Sequence, residues 1–379
     1  MIITIGASTK EGYELSRKEA LLMGGRAAGI CYEPGMEFRD EPLTQTEARI
    51  KRTLDSAHQS VYEHGHYKLD IVGMPKALVM ILNNQNAYVT SEKSARFTQM
   101  QSSGREKELY DKWMGILNGL IQTKYPKIPE DKRQKLAQEN ARYMTSVFTL
   151  TKMSHTLSFR QLNFFMHWFE DFSKRTDLTD YERRLIPYMQ AFNQTLERFY
   201  VLELNPADRL RHLTLFAERE RKEEFGENYC VNYEGTPAQL AQAQRHRTLR
   251  YEMGRIHGVP NTFFAPPIIE DQYLLEEWGR DIISVADAYP QGMLIRINER
   301  GAVEDFVSKL GERLCGNAQL EIALQSKETL NKYLEATKED PVVHSYLTQY
   351  ARGARCTFPD YTCKSRCGWG AKKALERMI

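Results

Sequence analysis

The run Gln242 to Arg250, QAQRHRTLR, sets the guanidinium groups of Arg245 and Arg247 on either side of His246. Beside apolar segments such a cluster is costly unless an anion or a polar ligand meets it. Gln242, just ahead, offers an amide that both donates and accepts. A second polar group stands in the first half. SEKSARF (Ser91 to Phe97) places Glu92, Ser94, Ala95 and Arg96 close together, and AQENAR (Ala137 to Arg142) ends on Arg142. An arginine fork gives paired, charge-assisted hydrogen bonds to a phosphate monoester, so Arg96 and Arg142 suit that group. Ser94 adds a hydroxyl as a ligand; no base is identifiable beside it to make it a nucleophile. HQSVYEH (His58 to His64) contributes Glu63 and His64.

The elements that must hold these residues form an α+β pattern. Glu106 to Arg142, Leu162 to Phe169 and Tyr181 to Phe199 have helical spacing. Ile2 to Ile5, Tyr67 to Val72 and Met293 to Ile297 read as strands. The 379 residues suggest two domains, and LNPADRLRH (Leu204 to His212) reads as the boundary between 1–205 and 206–379. With 52 basic and 50 acidic residues the formal charge is +2, which gives no bulk attraction to nucleic acid, so a phosphate site must be local. No apolar run reaches the roughly 20 residues that span a bilayer, and MIITIGASTK lacks a basic lead. The expected location is the cytoplasm.

A weak repeat ties the halves together. GMPKALVMILNNQNAYV (Gly73 to Val89) and GTPAQLAQAQRHRTLRY (Gly235 to Tyr251) share Gly, a spacer, Pro and a helix-like run. The second copy ends in Arg-His-Arg where the first has Asn84, Gln85 and Asn86.

These motifs resemble the flavin-dependent thymidylate synthases. That family has an His-x-Ser-x-x-Glu-His element, a Pro-led helix and an Arg-His-Arg signature closing on Ser-x-Arg. Here the first copy keeps Glu92, Ser94 and Arg96, and the second keeps Arg245-His246-Arg247. The family's arginine-rich helix resembles Ala137 to Arg142, followed at the right separation by SFRQL (Ser158 to Leu162). RLCGNAQLEI (Arg313 to Ile322) resembles another family segment. The resemblance therefore covers most of the chain as two divergent tandem repeats, each a small antiparallel sheet with long helices. Because the losses are complementary, it implies one composite site shared by the repeats. Glu92, Ser94, Ala95, Arg96, Arg142, Gln242 and Arg245 would bind substrate; Arg313 and His64 would serve the chemistry; His246, Arg247, Arg160 and His64 would meet FAD.

The implied activity is reductive methylation of dUMP or a related pyrimidine nucleotide, with methylenetetrahydrofolate and NADPH, in a homodimer equivalent to the family tetramer. The alternative is a pyrimidine-nucleotide-binding or assembly protein without flavin. Departures bear on the choice: the family's flavin-contacting asparagines fall on Ser158 and Phe164 in the first copy, and on Ala302 and Ser308 in the second. The first-copy counterpart of Arg313 is Phe169. Separately, Cys356, Cys363 and Cys367 lie close in sequence. With Cys315 or Cys230 as a fourth ligand they would hold zinc or an iron–sulfur cluster; otherwise they are free thiols.

Overall fold

A computed structural model describes residues 1–7, 15–30, 41–100, 102–205, 213–359, 361–364 and 366–379, with the Lys372 side chain left aside. The chain divides into two compact units. Met1–Lys93 with Leu150–Leu213 forms the first, and Ser94–Thr149 with Thr214–Ile379 forms the second. Most of the stretch expected to be a boundary, 206–212, lies outside the described residues.

The first unit is built on an antiparallel sheet of order β1-β2-β4-β3: β1 Ile2–Ala7, β2 His66–Pro75, β3 Tyr88–Glu92 and β4 Leu150–Ser158. Tyr67, Leu69 and Ile71 alternate along β2 and are all buried, the period-2 signature of a one-sided sheet. A bulge follows at Gly73, whose φ of 81° favours a residue without Cβ. Pro75 then leads a helix, Lys76–Leu82, buried from Ala77 onward. The helix Phe159–Ser173 starts on Ser158, whose hydroxyl accepts the Gln161 N–H. Its phenylalanines complete the core with Phe192 and Phe199.

The second unit carries a sheet of the same order, β5-β6-β8-β7: β5 Glu224–Phe225, β6 Asn228–Gly235, β7 Arg250–Met253 and β8 Ile295–Ala302. Here too a Gly-x-Pro turn leads from a strand into a short helix, Pro237–Ala243, capped by the Thr236 hydroxyl. The mixed fold with two antiparallel four-stranded sheets agrees with the expected class. A helical layer from the middle of the sequence packs into this unit. Leu109, Trp113, Leu117 and Ile121 line one face of Gly104–Lys124 and join Trp278 and Ile282 of Gln272–Ile283. The Trp113 and Trp278 rings meet edge to face at 4.8 Å, and Trp113 Nε1 donates to Asp281 at 3.0 Å.

Three expected elements differ in detail. Tyr181 to Phe199 is the short helix Asp180–Arg183, the helix Ile186–Leu196 and the 3-10 turn Glu197–Phe199. Glu106 to Arg142 is two helices, Gly104–Lys124 and Glu130–Ala141, because Pro126 pushes Tyr125 out of helical geometry to φ −131°, ψ 62°. The strand expected from Met293 begins at Ile295, since Met293 makes only an isolated bridge with Phe263. Among the described residues no helix is long and apolar enough to cross a membrane.

Candidate anion site

In the second unit, Arg96 and Arg142 come from the 94–149 segment, and Gln242, Arg245, His246 and Arg313 come from the second half. The segment after the helix Val303–Arg313 organises them.

Glu321 anchors the network from a buried position. Its carboxylate accepts the Thr236 N–H and hydroxyl, both at 2.8 Å, and the Tyr143 hydroxyl at 2.6 Å. It thereby fixes the start of the helix Pro237–Ala243 and the turn Arg142–Met144 together. Burial raises the Glu321 pKa against these bonds. Tyr143 in turn accepts from Gln319 Nε2. Gln319 Oε1 accepts from both Arg142 Nη2 and Gln242 Nε2. One buried amide thus sets the side chains of two residues that the sequence reading singled out, 100 positions apart. Gln242 is 7% exposed, and its Oε1 is buried without a hydrogen-bond partner among the described residues. Such an acceptor is costly until a ligand donor reaches it.

Arg96 lies on the loop that follows β3. Its Nε donates to Glu139 and its Nη2 to the Asn317 carbonyl at 2.9 Å, while its own N–H donates to Ser94 Oγ at 3.3 Å. Gln138 Nε2 donates to the Ala95 carbonyl at 3.1 Å and pins the same loop. Arg142 Nε donates to the Glu139 carbonyl at 3.2 Å. Burial holds the Arg142 guanidinium below its ordinary pKa, and the like charge of Arg96 adds to that.

Arg313, 9% exposed, donates Nε–H to His246 Nε2 at 2.8 Å and Nη2 to the Gln242 carbonyl at 3.1 Å. Burial lowers the Arg313 pKa to about 10, with Arg96 and Arg245 among the charges that oppose its protonation. Burial also lowers His246 to about 2, helped by Arg313 and Lys309. The imidazole is therefore neutral, with Nε2 as acceptor. Arg245 is exposed and, among the described residues, makes no side-chain hydrogen bond or ion pair. Arg247 is exposed as well.

The remaining expected residues belong to the first unit. Both carboxylate oxygens of Glu92 accept from Lys76 at 2.6 Å. His64 is exposed and closes a 3-10 turn, and its carbonyl lies 3.1 Å from His66 Nδ1. Arg160 pairs with Glu63 and lies over the Phe164 ring at 4.9 Å. Sequence reasoning missed Glu139, Tyr143, Gln319 and Glu321. All four sit within or beside quoted motifs, yet only tertiary packing makes them partners.

The thiol group needs correction. Cys356 and Cys363 are exposed, Cys367 is half-buried and Cys315 is buried. Among the described residues no group of three or more His, Cys, Asp or Glu is placed to hold a metal ion. Zinc–sulfur bonds of about 2.3 Å require the sulfurs to converge on one point. The Cys367 sulfur packs beside Gly316, next to Cys315 in the chain, 2.7 Å from where an added Cβ would stand. Among the described residues the expected zinc or iron–sulfur site is not formed.

An excess of guanidinium groups over the carboxylates Glu139 and Glu321, with an open amide acceptor beside them, suits a ligand that is anionic at one end and donates hydrogen bonds at another. Comparison with known proteins gives three findings. Residues 19–179 match the family model described as thymidylate synthase complementing protein. No curated protein matches the chain. Among solved structures, thymidylate synthase X from Helicobacter pylori with FAD and dUMP aligns over 54% of this chain and 95% of its own, at 15% identity and a TM-score of 0.32. The UMP/dUMP methylase PolB from Streptomyces cacaoi, bound with 5-Br dUMP, aligns over 54% of this chain and 92% of its own, at 15% identity and a TM-score of 0.32.

Proposed function

We propose, from the premise that the chain belongs through residues 19–179 to the flavin-dependent thymidylate synthase family, that it is a thymidylate synthase-like enzyme acting on dUMP or a related pyrimidine nucleotide. The observation that carries this reading is the gathering of Arg96 and Arg142 with Gln242 and Arg313 around the segment Arg313 to Glu321. In this reading Arg96 and Arg142 hold the phosphate, with Ser94 and Ala95 shaping the loop. Gln242 Oε1 accepts the imide N–H of the pyrimidine, and Arg245 reaches a ring carbonyl. Arg313, held by His246, stands near the base. Methylenetetrahydrofolate and NADPH are the co-reactants of the proposed activity, and a homodimer its proposed assembly.

FAD fits the residues present less well. At the positions where the family presents flavin-contacting asparagines, Ser158 spends its hydroxyl on the Gln161 N–H and Phe164 is a core residue. Ala302 offers a methyl group, and Ser308 is exposed. Arg160 is held by Glu63, and His246 Nε2 is occupied by Arg313. No step is therefore routed through the flavin. The residues support nucleotide binding directly, and a nucleotide-binding protein without flavin remains the second reading.

The test is purified protein with dUMP, methylenetetrahydrofolate, NADPH and added FAD, followed for dTMP. Product that depends on FAD supports the enzyme. Tight dUMP binding with no product, and with no flavin quenching on titration, supports the second reading.

A further inference from the structure

Asn232, Asn298 and Glu252 form one row across the second sheet, from β6 through β8 to β7, each opposite the next. The row lies on the face turned away from the helix Val303–Arg313. Its neighbours along β8, Ile297 and Glu299, are wholly buried on the other face, where Glu299 pairs with Lys309. The outer face of such a sheet ordinarily meets solvent. Here Asn298 and Glu252 are each only 6% exposed.

The segment 215–223 runs beside this row as a strap. The Ala217 N–H donates to the Met253 carbonyl at 2.8 Å, and the Met253 N–H to the Leu215 carbonyl at 2.6 Å. Further on, Asn232 Nδ2 donates to the Arg221 carbonyl at 2.8 Å and the Asn232 N–H to Glu223 at 2.9 Å. Strap and sheet together line a hollow of about 280 Å³.

Guanidinium groups dominate it. Arg219 and Arg221 come from the strap, Arg255 from the chain just after β7, and Arg296 from β8. The lining carboxylates are Glu218, Glu220 and Glu252. Glu252 is the buried one. Its Oε2 accepts Arg221 Nε at 2.7 Å, and its Oε1 accepts Arg221 Nη2 at 2.5 Å and Arg300 Nη1 at 2.8 Å. One carboxylate thus fixes two guanidinium groups and neutralises only one. Among the described residues Arg221 Nη1 makes no hydrogen bond, and the exposed Arg219 side chain makes neither a hydrogen bond nor an ion pair. Glu220 pairs with Arg296 at the exposed rim, where an ion pair holds weakly. With Arg300, five guanidinium groups meet three carboxylates. The corresponding hollow on the first sheet, over Asp70, Ser91, Lys152 and Ser154, is lined by no arginine.

We propose that this hollow is a second anion site, which takes a compact oxyanion of two negative charges, either a phosphate group or a small dicarboxylate. Glu252 presets Arg221, and the forks of Arg219 and Arg296 supply further paired, charge-assisted donors. The site shares no residue with the cluster around Gln319 and does not depend on the nucleotide reading.

His257 lines the hollow and is exposed, so its ring reports an anion bound there. Carbon–proton NMR spectra of the histidine rings in the full chain, titrated with inorganic phosphate and separately with malonate at an ionic strength held by sodium chloride, test the proposal. His257→Gln assigns the signal. The expected result is a saturable shift of that signal with at least one dianion and none with chloride. A shift with phosphate alone marks a phosphoryl ligand, one with malonate alone a dicarboxylate, and one with both a site that reads only charge and size. Arg219→Ala and Arg296→Ala, both at exposed positions, should each weaken binding about fivefold, the worth of an exposed charge contact. Arg219→Lys should lose less than Arg219→Ala. No saturable shift with either dianion, an equal shift with chloride, or both alanine variants binding as tightly as the wild type would each overturn the proposal. A chain that shows the expected pattern but binds no dUMP loses the nucleotide reading and keeps this site.

Discussion

Arg313 donates its Nε–H to Nε2 of His246 across 2.8 Å. A protonated imidazole cannot accept that bond, so the pair fixes His246 as neutral and gives Arg313 its orientation. His155 in the first unit is also buried, and burial lowers its pKa to about 3. Among the described residues both ring nitrogens lack hydrogen-bond partners, and the ring stacks on Tyr88 at 5.1 Å. For a base whose folded pKa lies below its unfolded value of about 6.5, the unfolded chain binds more protons between the two values. Stability from each histidine is full above that unfolded value and is lost as pH falls toward the folded one, by at most about 1.4 kcal/mol per pH unit. His155→Phe should flatten the loss of thermal midpoint between pH 7 and pH 5. An unchanged slope would mean that the ring is not held neutral.

Arg245 and Arg96 should separate binding from stability. Arg245 is exposed and has no side-chain partner among the described residues, so Arg245→Ala should leave stability within about 0.5 kcal/mol while weakening dUMP binding. Arg96→Ala strands buried Glu139 and should cost on the order of 3 kcal/mol. Chemical denaturation beside calorimetric titration reads both; equal stability losses would contradict the assignment.

Lys309 and Glu299 form an ion pair with both side chains wholly buried, and Glu299 also accepts from Tyr229 at 2.7 Å and Tyr233 at 3.1 Å. Lys309→Met leaves a buried carboxylate and should cost about 3–5 kcal/mol. Lys309→Met with Glu299→Gln should recover part of that. If the double variant is no more stable than the single one, the pair is not what holds Lys309 in the core.

How much of this was legible depended on range. Local signals carried far: the alternation along β2, the Gly-x-Pro helix starts, and Arg96, Arg142, Gln242 and Arg313 as a group worth watching. Pro126 inside the expected long helix was a legible break that helical composition masked. The strand Leu150–Ser158 alternates between buried and exposed positions, but its Thr, Ser, Lys and His residues dilute the apolar pattern. Glu139 as a partner of Arg96 was out of reach, since 43 residues separate them and only the packing of Glu130–Ala141 joins them.

The network around Gln319 gives a sharper prediction. Gln319→Leu removes the acceptor shared by Arg142 and Gln242 and should cost about 1–3 kcal/mol of stability. It should also lower dUMP affinity without touching the ligand, because both side chains lose their orientation. Unchanged affinity would argue that neither contacts the nucleotide.

Calorimetric titration of dUMP and deoxyuridine into the wild type, Arg96→Ala and Arg245→Ala addresses the proposed nucleotide site most directly. The account predicts that dUMP binds the wild type more tightly than deoxyuridine by on the order of 100-fold, as a desolvated arginine–phosphate contact requires. It also predicts that the gap narrows in Arg96→Ala and that dUMP binding weakens in both variants. A dUMP affinity that survives both arginine substitutions unchanged, or that merely equals that of deoxyuridine in the wild type, would contradict it.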